Sequence, residues 1–291
     1  MSVLQDSPLQ NKICLVTGAT SGMGKATALE LARRGGTVLL VTRNQSKGER
    51  VLDEIRDASS NATIDLFVAD LSSMCEVVRL ADEVKARHQA LHVLVNNAGG
   101  IFFERMETVD SYEYTFALNH LAYFQLTNLL LDLLKASAPA RIINISSFVE
   151  KIGKLNFADL HRQKQYSGFA AYAQSKLANL LFTYDLARRL DSTGVTVNAV
   201  GPNFVKTNFA KNSRGVNRFL AFVFGLIGTS AEKGAETIIY LASSPEVEGV
   251  TGKFFYHSKE RASSPQSHDR ALQEQLWQAS VALLNLVEVN G

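Results

Sequence analysis

Short apolar runs alternate along the chain with longer segments in which apolar residues recur every three or four positions. The short runs, mostly rich in Val and Ile, predict β-strands, and the longer periodic segments predict amphipathic helices. The predicted strands are Lys12–Thr17, Thr37–Thr42, Thr63–Ala69, Leu91–Val95, Arg141–Ser146 and Thr196–Val200. The predicted helices between them are Lys25–Arg34, Lys47–Asp57, Glu76–His88, Ser111–Lys135 and Tyr172–Leu190.

This alternation determines the expected fold class. Repeated strand–helix–strand units produce parallel strands joined by right-handed crossovers, with helices on both faces of the sheet. We therefore expect an α/β protein with a single-domain, Rossmann-type doubly wound parallel sheet. No internal repeat or Pro/Gly/Ser-rich linker interrupts the pattern, so residues 1–291 are expected to form one domain.

The carboxyl-terminal extension, residues 257–291, contains a further predicted helix. Its amphipathic pattern runs from Asp269 to Val287. A helix with one apolar face must bury that face against another surface. It would cover an edge of the domain or join a partner subunit, and both alternatives stay open.

Composition narrows the function classes. The net charge of +2 leaves no global field that would draw the protein onto nucleic acid. Cys14 and Cys75 have no metal-ligand spacing and are expected to be reduced packing residues, so no metal site is predicted. Residues 1–11 lack the features of a secretory signal, and no apolar run reaches the roughly 18 residues of a membrane helix. We expect a cytoplasmic protein.

A glycine-rich segment follows the first predicted strand and opens the first helix. Its sequence over residues 17–24 is Thr-Gly-Ala-Thr-Ser-Gly-Met-Gly. The glycines let the backbone turn tightly and approach a pyrophosphate, and the N–H groups of a helix amino terminus favour an anion. A dinucleotide site is predicted here, against the alternative of a plain strand–helix turn. Its candidate residues are Gly18, Thr20, Ser21, Gly22, Met23 and Gly24.

Further motifs follow in a fixed order, and with the Gly-x-x-x-Gly-x-Gly spacing they resemble the short-chain dehydrogenase/reductase family. They are Asn96-Asn97-Ala98-Gly99, Asn119, Ser146-Ser147 and Tyr172-Ala173-Gln174-Ser175-Lys176. Together these segments cover most of residues 12–256. The resemblance implies an oxidoreductase that moves hydride between a nicotinamide dinucleotide and a carbonyl or alcohol carbon. An extra segment between Ser147 and Tyr172, from Val149 to Phe169, resembles the branch that includes retinol dehydrogenases.

The end of the second strand bears on the choice of dinucleotide. A carboxylate there would bind a ribose 2′-hydroxyl, whereas a cation would bind a 2′-phosphate. The strand ends at Thr42 and is followed by Arg43 and Asn44, so NADP(H) is predicted. Lys47 is a weaker candidate for the phosphate, and a solvated Arg43 without this role is the alternative.

The resemblance implies additional cofactor contacts along the chain. The implied residues are Asp70, Leu71, Asn97, Ala98, Gly99, Pro202, Val205 and Thr207. Asp70 would meet the adenine amino group, the residues 97–99 would line the cofactor beside the fourth strand, and Val205 and Thr207 would contact the carboxamide. A helix N-terminal cap is the alternative role of Asp70. Asn203 stands where the family usually has glycine, and asparagine tolerates the left-handed conformation of such a turn.

Tyr172 and Lys176 are the candidate catalytic pair. They lie four residues apart on a predicted helix and share one face, so the ammonium can approach the phenol and lower its pKa from about 10. Tyr172 would act as the acid/base, and the lysine would also bind the nicotinamide ribose. Ser147 follows the fifth strand and would donate to the substrate oxygen, a role that the resemblance gives to the second serine of the pair.

The resemblance also gives Asn119 the task of holding a water that relays protons to the lysine. The alternative is a polar residue that caps a kink or faces another helix. His120, the next residue, is expected to be structural, because the sequence gives it no partner.

Residues 208–228 correspond in the family to the variable substrate lid. The Phe- and Leu-rich stretch 209–228 indicates an apolar pocket for a bulky or long-chain aldehyde or ketone, retinol-like or steroid-like, or for the corresponding alcohol. A buried core helix is one alternative. A membrane contact through 219–228 is another, which we do not favour.

Two wider questions stay open at this level. A non-catalytic NADP(H)-binding sensor or scaffold is the competing function, although the complete Asn-Ser-Tyr-Lys set favours an enzyme. The resemblance also suggests that Ser111–Lys135 and Tyr172–Leu190 pair subunits into a homodimer or homotetramer. The carboxyl-terminal tail would compete for the same contact.

Overall fold

The computed structural model describes residues 8–61, 63–202 and 230–286. Within these ranges the strands are β1 Ile13–Thr17, β2 Thr37–Thr42, β3 Ile64–Val68, β4 Val93–Asn96, β5 Ala140–Ile145, β6 Val195–Val200, β7 Lys253–Tyr256 and β8 Lys259–Glu260. The α-helices are α1 Gly22–Arg33, α2 Gln45–Ser59, α3 Met74–Arg87, α4 Tyr114–Phe116, α5 Ala122–Leu129, α6 Leu131–Ala136, α7 Gly168–Arg189, α8 Ala231–Ser243 and α9 Arg270–Leu284. Shorter helical turns are the π turn Ala117–Leu121 and the 3-10 helices Phe148–Ile152, Pro245–Val247 and Pro265–His268.

All the strands named above form one sheet in the order β3-β2-β1-β4-β5-β6-β7-β8. Neighbouring strands are parallel except for β7 and β8, which pair antiparallel. The chain runs outward from β1 to β3 and then returns to β4 on the other side of β1. This reversal opens a crevice at the carboxyl ends of β1 and β4, where open α/β sheets bind ligands. The predicted α/β doubly wound fold is confirmed.

Side chains of the central strand β1 alternate between two apolar layers. Cys14 and Val16 pack with Leu31 of α1 in one layer. Leu15 points to the opposite face and packs in the second layer, which contains Leu177 of α7. Because both faces of the strand are buried, β1 is an almost continuous apolar run.

Helix α7 begins earlier than its apolar pattern predicts. It starts at Gly168, and the predicted helix starts at Tyr172. The Ser167 side chain accepts a hydrogen bond from the Ala170 N–H and caps the helix. The first turn, Gly-Phe-Ala-Ala, contains small residues and an exposed Phe169, so it has no amphipathic pattern and the cap determines where the helix begins.

The prediction of one continuous helix over Ser111–Lys135 is wrong, because the structure divides this segment into several helical pieces. The helical segment begins at Tyr114, where the Glu113 carboxylate accepts from two backbone N–H groups. It widens into the π turn Ala117–Leu121 and breaks again at Leu130, between α5 and α6. An apolar pattern continues through such a turn, so the interruption is invisible to periodicity.

The carboxyl-terminal helix α9 lies on α7. It matches the predicted amphipathic helix, with Asp269 as its N-cap, and Val287 lies outside the described residues. The Trp277 ring packs edge-on against Phe124 of α5 at 4.8 Å between centroids, and Phe182 of α7 lies 6.1 Å away.

This packing decides between the alternatives for the tail. Every residue from 173 to 187 of α7 is buried within the single chain. The faces predicted to pair subunits are therefore covered by the chain's own tail, because the apolar side of α9 needs the same partner. A homodimer or homotetramer stays a prediction.

The two cysteines differ in their surroundings. Cys14 is buried in β1, and burial raises the pKa of its thiol to about 12. Cys75 is exposed, so the prediction that it is a packing residue is wrong. It lies on the solvent side of the amphipathic helix α3, next to the buried Met74. Among the helices in the described part of the chain, none is long and apolar enough to cross a membrane.

Replacing Trp277 with alanine tests the docking of α9. We expect Trp277→Ala to lower the free energy of unfolding by about 3–5 kcal/mol, because a large buried aromatic side chain is lost from the contact with α5 and α7. Urea denaturation measures the change. Val109→Ala, at a side chain that is 86% exposed, is the control and should be neutral. A loss below about 1 kcal/mol in Trp277→Ala would contradict tight docking of α9.

Candidate active site

The turn after β1 is so tight that its glycines are required. Gly18 and Gly22 have φ angles of +67° and +55°, which other residues rarely adopt. A Cβ atom added at Gly24 would lie 2.3 Å from the carbonyl oxygen of Gly18. The three predicted glycines thus close one turn at the carboxyl end of β1.

Thr17 joins this turn to the loop after β4. Its hydroxyl accepts hydrogen bonds from the N–H groups of Asn97 and Ala98, at 2.8 and 2.9 Å, and donates to the carbonyl of Val95. The Asn97 side chain donates back to the Thr17 carbonyl at 2.8 Å. The structure therefore brings the two predicted cofactor loops together. Thr17 had no predicted role, although its position directly before the first glycine was a signal.

The amino terminus of α1 fits a bound pyrophosphate. Its N-cap, Ser21, makes no side-chain capping bond, and the first turn, all of it within the described ranges, contains no acidic residue. The N–H groups of Gly22, Met23 and Gly24 therefore have no helical acceptor and can bind an anion. Thr20, partly buried, lies in the same turn.

The residues after β2 are held in different ways. Arg43 is exposed, and its guanidinium donates to the Tyr114 hydroxyl at 3.1 Å, so it is not a freely solvated charge. The Asn44 side chain accepts from the Lys47 N–H and caps α2. Its side-chain oxygen is therefore committed to the helix. Thr42 is buried, and it stands where a carboxylate would otherwise select a ribose hydroxyl.

Asp70 stabilises the turn that leads from β3 to α3. Its carboxylate accepts from the N–H and the hydroxyl of Ser72, at 3.0 and 2.7 Å. This contact is close to the capping alternative, although the N-cap of α3 is Ser73. Leu71 is buried in the apolar layer with α3 and α7. The adenine contact of Asp70 and the cofactor contact of Leu71 stay predictions.

Ser147 and Tyr172 meet despite the long segment between them. The Ser147 side chain hydrogen-bonds the Tyr172 phenol, and it also accepts from the Val149 N–H and so caps the 3-10 helix. A Cβ atom added at Gly153 would lie 2.5 Å from the carbonyl oxygen of Ala173. The inserted segment is thus packed directly against α7 and leaves the serine beside the tyrosine.

Lys176 lies one helical turn beyond Tyr172 and is 3% exposed. Its ammonium donates to the Ile145 carbonyl, the last of β5, at 2.9 Å. It lies 5.4 Å from the centroid of the Tyr172 ring. Burial lowers the pKa of Lys176 to about 7, so neutral and charged forms are both populated near neutral pH.

The Tyr172 phenol differs from the prediction. Burial raises its pKa to about 12, and the hydrogen bond from Ser147 acts in the opposite direction. The prediction that Lys176 lowers this pKa is therefore wrong for the present structure. Burial disfavours the phenolate of Tyr172. It also lowers the pKa of Lys176, so only a fraction of the lysine is charged at neutral pH. Tyr172 is consequently protonated at neutral pH and can donate its proton.

Asn119 lies in the π turn with every polar atom of its side chain engaged. Its amide accepts from the Gly100 N–H and donates to the Gly100 carbonyl and the Ser175 hydroxyl, at 2.9, 2.9 and 3.0 Å. Its backbone carbonyl accepts from Asn179. A Cβ atom added at Gly99 would lie 2.8 Å from the Asn119 side-chain oxygen. These contacts match the alternative of a residue facing other elements, and the water relay stays a prediction.

His120 has two partners, which corrects the expectation of none. Its Nδ1 lies 3.3 Å from the Asn179 side-chain oxygen, and its Nε2 lies 3.1 Å from the Ser280 hydroxyl. The ring is fully buried, and burial lowers its pKa to about 4. The sequence could not reveal the second contact, because Ser280 is 160 residues away.

Tyr123 is a site residue that the sequence analysis missed. Its hydroxyl is buried and has no hydrogen-bond partner among the described residues. The ring centroid lies 5.9 Å from the Lys176 ammonium, and a Cβ atom added at Gly99 would lie 3.8 Å from the hydroxyl. An unsatisfied buried hydroxyl between the lysine and a cofactor loop fits a site that a bound group completes. Nothing in the sequence separates it from its apolar helix neighbours.

Of the predicted cofactor residues after β6, only Pro202 lies within the described residues. Pro202 is partly buried and follows Gly201 at the carboxyl end of β6. Val205, Thr207 and the predicted lid, residues 208–228, lie outside the described residues.

The burial of Lys176 predicts how stability depends on pH. The ordinary pKa of 10.5 applies to the unfolded chain and about 7 to the folded protein. Between these values the unfolded chain holds one more proton, so the free energy of unfolding rises with pH, by up to about 1.4 kcal/mol per unit. Lys176→Met should lack this contribution in urea denaturation at about pH 7.5 and about pH 8.5. Lys154→Met, at an exposed lysine, is the control. If the free energy of unfolding changed equally with pH in the wild type and in both variants, burial of a titrating ammonium would be contradicted.

Comparisons with known proteins agree with this site. The family model described as short chain dehydrogenase matches residues 12–217. Mouse retinol dehydrogenase 12 is 40% identical over 278 residues, covering 96% of this chain and 88% of the relative. Human polyprenol dehydrogenase is 39% identical over 289 residues, with coverages of 97% and 88%.

Solved structures give the same assignment. An uncharacterized protein from Mycobacterium paratuberculosis has a TM-score of 0.78 and 31% identity, covering 98% of this chain and 97% of its own. A short chain dehydrogenase from Shigella flexneri, complexed with NADP, has a TM-score of 0.70 and 25% identity, with coverages of 88% and 100%. The predicted resemblance and the predicted oxidoreductase acting on an alcohol or carbonyl are confirmed. The chain belongs to the short chain dehydrogenase family.

Proposed function

We propose that this protein reduces bulky or long-chain apolar aldehydes and ketones with NADPH and oxidises the corresponding alcohols in the reverse direction. The contact between Ser147 and Tyr172, one helical turn from the buried Lys176, carries this proposal. Two hydroxyl groups can hold one carbonyl oxygen there, beside the glycine turn that fits a pyrophosphate. The same set disfavours a non-catalytic sensor or scaffold, for which binding alone would suffice.

The side chains of this site divide the work of carbonyl reduction. NADPH, when bound, supplies the hydride. Ser147 and Tyr172 donate hydrogen bonds to the carbonyl oxygen and stabilise the negative charge that develops on it. Tyr172, protonated at neutral pH, donates its proton to this oxygen. Lys176, whose pKa of about 7 allows both forms, helps to return a proton to the phenolate that remains.

The preference for NADP(H) rests on the residues after β2. Arg43 follows this strand, is exposed, and is oriented by Tyr114. The adjacent Thr42 supplies no carboxylate for a ribose 2′-hydroxyl. The short chain dehydrogenase from Shigella flexneri, complexed with NADP, supports the same cofactor here.

An apolar substrate is supported by three exposed side chains on α7 and on segments that pack against its start. Phe169 lies three positions earlier on the same helix, and Ile152 ends the 3-10 helix that follows Ser147. Phe103 belongs to a loop that contacts the start of α7 at Gly168. Their exposed fractions are 46%, 59% and 37%. The names of the relatives, retinol dehydrogenase and polyprenol dehydrogenase, refer to lipophilic alcohols and support the same substrate class. A cytoplasmic location stays a prediction.

Removing the Tyr172 hydroxyl tests the proposed chemistry. We expect Tyr172→Phe to lower kcat by at least about 100-fold, because the proton donor is lost. The measurement is NADPH oxidation with aliphatic aldehydes, and the wild type should prefer a long chain such as decanal to propanal. NADPH binding, followed by fluorescence, should be retained.

Tyr184→Phe is the matched control for this test. Tyr184 lies on the same helix, and its hydroxyl contacts Ser263. This variant should keep turnover close to wild type. If Tyr172→Phe retained more than about a tenth of the wild-type turnover with NADPH bound, acid catalysis by this phenol would be excluded.

Reversing the charge at Arg43 tests the cofactor preference. Arg43→Asp should move the ratio of kcat/KM for NADPH over NADH toward NADH by at least about tenfold, because a charge-assisted bond to the 2′-phosphate is lost. Arg50→Asp, an exposed substitution on α2, is the control for net charge and should leave the ratio unchanged. An unchanged ratio in Arg43→Asp would refute the assignment.

A further inference from the structure

A chain of buried polar contacts connects the carboxyl-terminal helix with the candidate lysine. Asn179 lies three residues after Lys176 on α7 and is fully buried. Its side-chain amide donates to the carbonyls of Asn119 and Ile145, at 2.9 and 3.0 Å. The Ile145 carbonyl is also the acceptor of the Lys176 ammonium. Asn179 and Lys176 therefore share one acceptor.

These contacts fix the orientation of the Asn179 amide. The atom between the two carbonyls must be the nitrogen, since only the NH2 group can donate to both. The side-chain oxygen consequently points to His120, whose Nδ1 lies 3.3 Å away. An amide oxygen only accepts, so Nδ1 of His120 carries the proton.

His120 is in turn held from both sides. With the proton on Nδ1, its Nε2 is an acceptor, and the Ser280 hydroxyl of α9 lies 3.1 Å from it. The same hydroxyl donates to the Leu276 carbonyl at 2.8 Å, so two acceptors share its one proton. The rings of Phe116, Phe124 and Phe182 surround the imidazole at 5.1–6.2 Å between centroids. Burial lowers the pKa of His120 to about 4, so the ring stays neutral at physiological pH.

We infer that Asn179 and His120 are positioning residues for Lys176, and that they act through the carbonyl of Ile145. A carbonyl oxygen has two lone pairs, and here both are used, one by Lys176 and one by Asn179. The amide sets the direction from which the ammonium approaches and limits how strongly the carbonyl stabilises the charged form. His120 keeps the amide from rotating.

The surroundings of the ammonium make this role measurable. Among the residues that the structure describes, the titratable groups that face it are the phenols of Tyr123 and Tyr172, with ring centroids at 5.9 and 5.4 Å. Burial raises the pKa of both phenols, for Tyr172 to about 12. Neither phenol titrates between pH 6 and 9, so a change of the lysine in this window reports on the lysine itself.

The test compares the lysine titration of Asn179→Leu with that of the wild type. Leucine has nearly the same shape but leaves the Ile145 carbonyl to the lysine alone, which favours the charged form. We expect the Lys176 midpoint to rise by at least about half a pH unit. It is followed by NMR of the lysine 13Cε signals in the cofactor-free protein, with Lys176 assigned by its loss in Lys176→Met. The pH profile of kcat for carbonyl reduction should move in the same direction.

Two further variants keep the test decisive. His120→Phe retains an aromatic ring and should raise the midpoint by a smaller amount, and it serves if Asn179→Leu fails to fold. Thr127→Val, on α5, is the control. It removes another buried hydrogen bond, in which the Thr127 hydroxyl accepts from the Asn96 side chain, and it should leave the Lys176 midpoint unchanged. A midpoint in Asn179→Leu and His120→Phe within about 0.2 unit of wild type, or below it, overturns the inference.

The NMR titration and the pH profile of kcat test different things. Only the pH profile rests on the proposed function. The NMR titration requires no catalysis. If it shifts as expected while the wild type reduces no aldehyde or ketone, the positioning role stands and the proposed function fails.

Discussion

The burial of one ammonium group, that of Lys176, constrains the rest of the site. A charge removed from water costs free energy unless polar groups replace the lost hydration. Among the described residues, the Lys176 ammonium donates to the carbonyl of Ile145, at the end of β5. The end of this strand must therefore lie close enough to α7 for a direct hydrogen bond. The Ser146 hydroxyl strengthens this junction by donating to the backbone carbonyl of Lys176. A lysine held in this way has a lowered pKa and can exchange protons near neutral pH.

The segment after the candidate serine depends on the carboxyl-terminal extension. Glu150, in the 3-10 helix that follows Ser147, is fully buried, and its carboxylate accepts from the N–H and hydroxyl of Ser264. Gln266 donates to the carbonyl of Gly153, where the 3-10 helix meets α7. A buried carboxylate requires such partners, because an unpaired charge in the interior is costly. The extension thus supports the serine as well as the lysine.

Several features could be predicted from particular residues. Gly18, Gly22 and Gly24 predicted the turn, because few other residues tolerate its φ angles and close approaches. The spacing of Tyr172 and Lys176 predicted a shared helix face, since helical geometry is local. The strand β7 and the helix α8 were not predicted. In β7 only Phe254 and Phe255 are buried, and Lys253 precedes them. The strand therefore lacks the Val- and Leu-rich run that predicted β4, which is equally short.

The sequence by itself determined the order of the first six strands, the glycine turn and most of the candidate site residues, because each depends on local geometry or local chemistry. The tertiary structure alone decided the electrostatic state of those residues. The Tyr172 pKa rises, contrary to the prediction, because burial is a property of everything packed around a group. It also decided that Asn179, His120 and Ser280 form one connected set, since hydrogen bonds between residues 160 positions apart follow from packing and have no signature in the sequence.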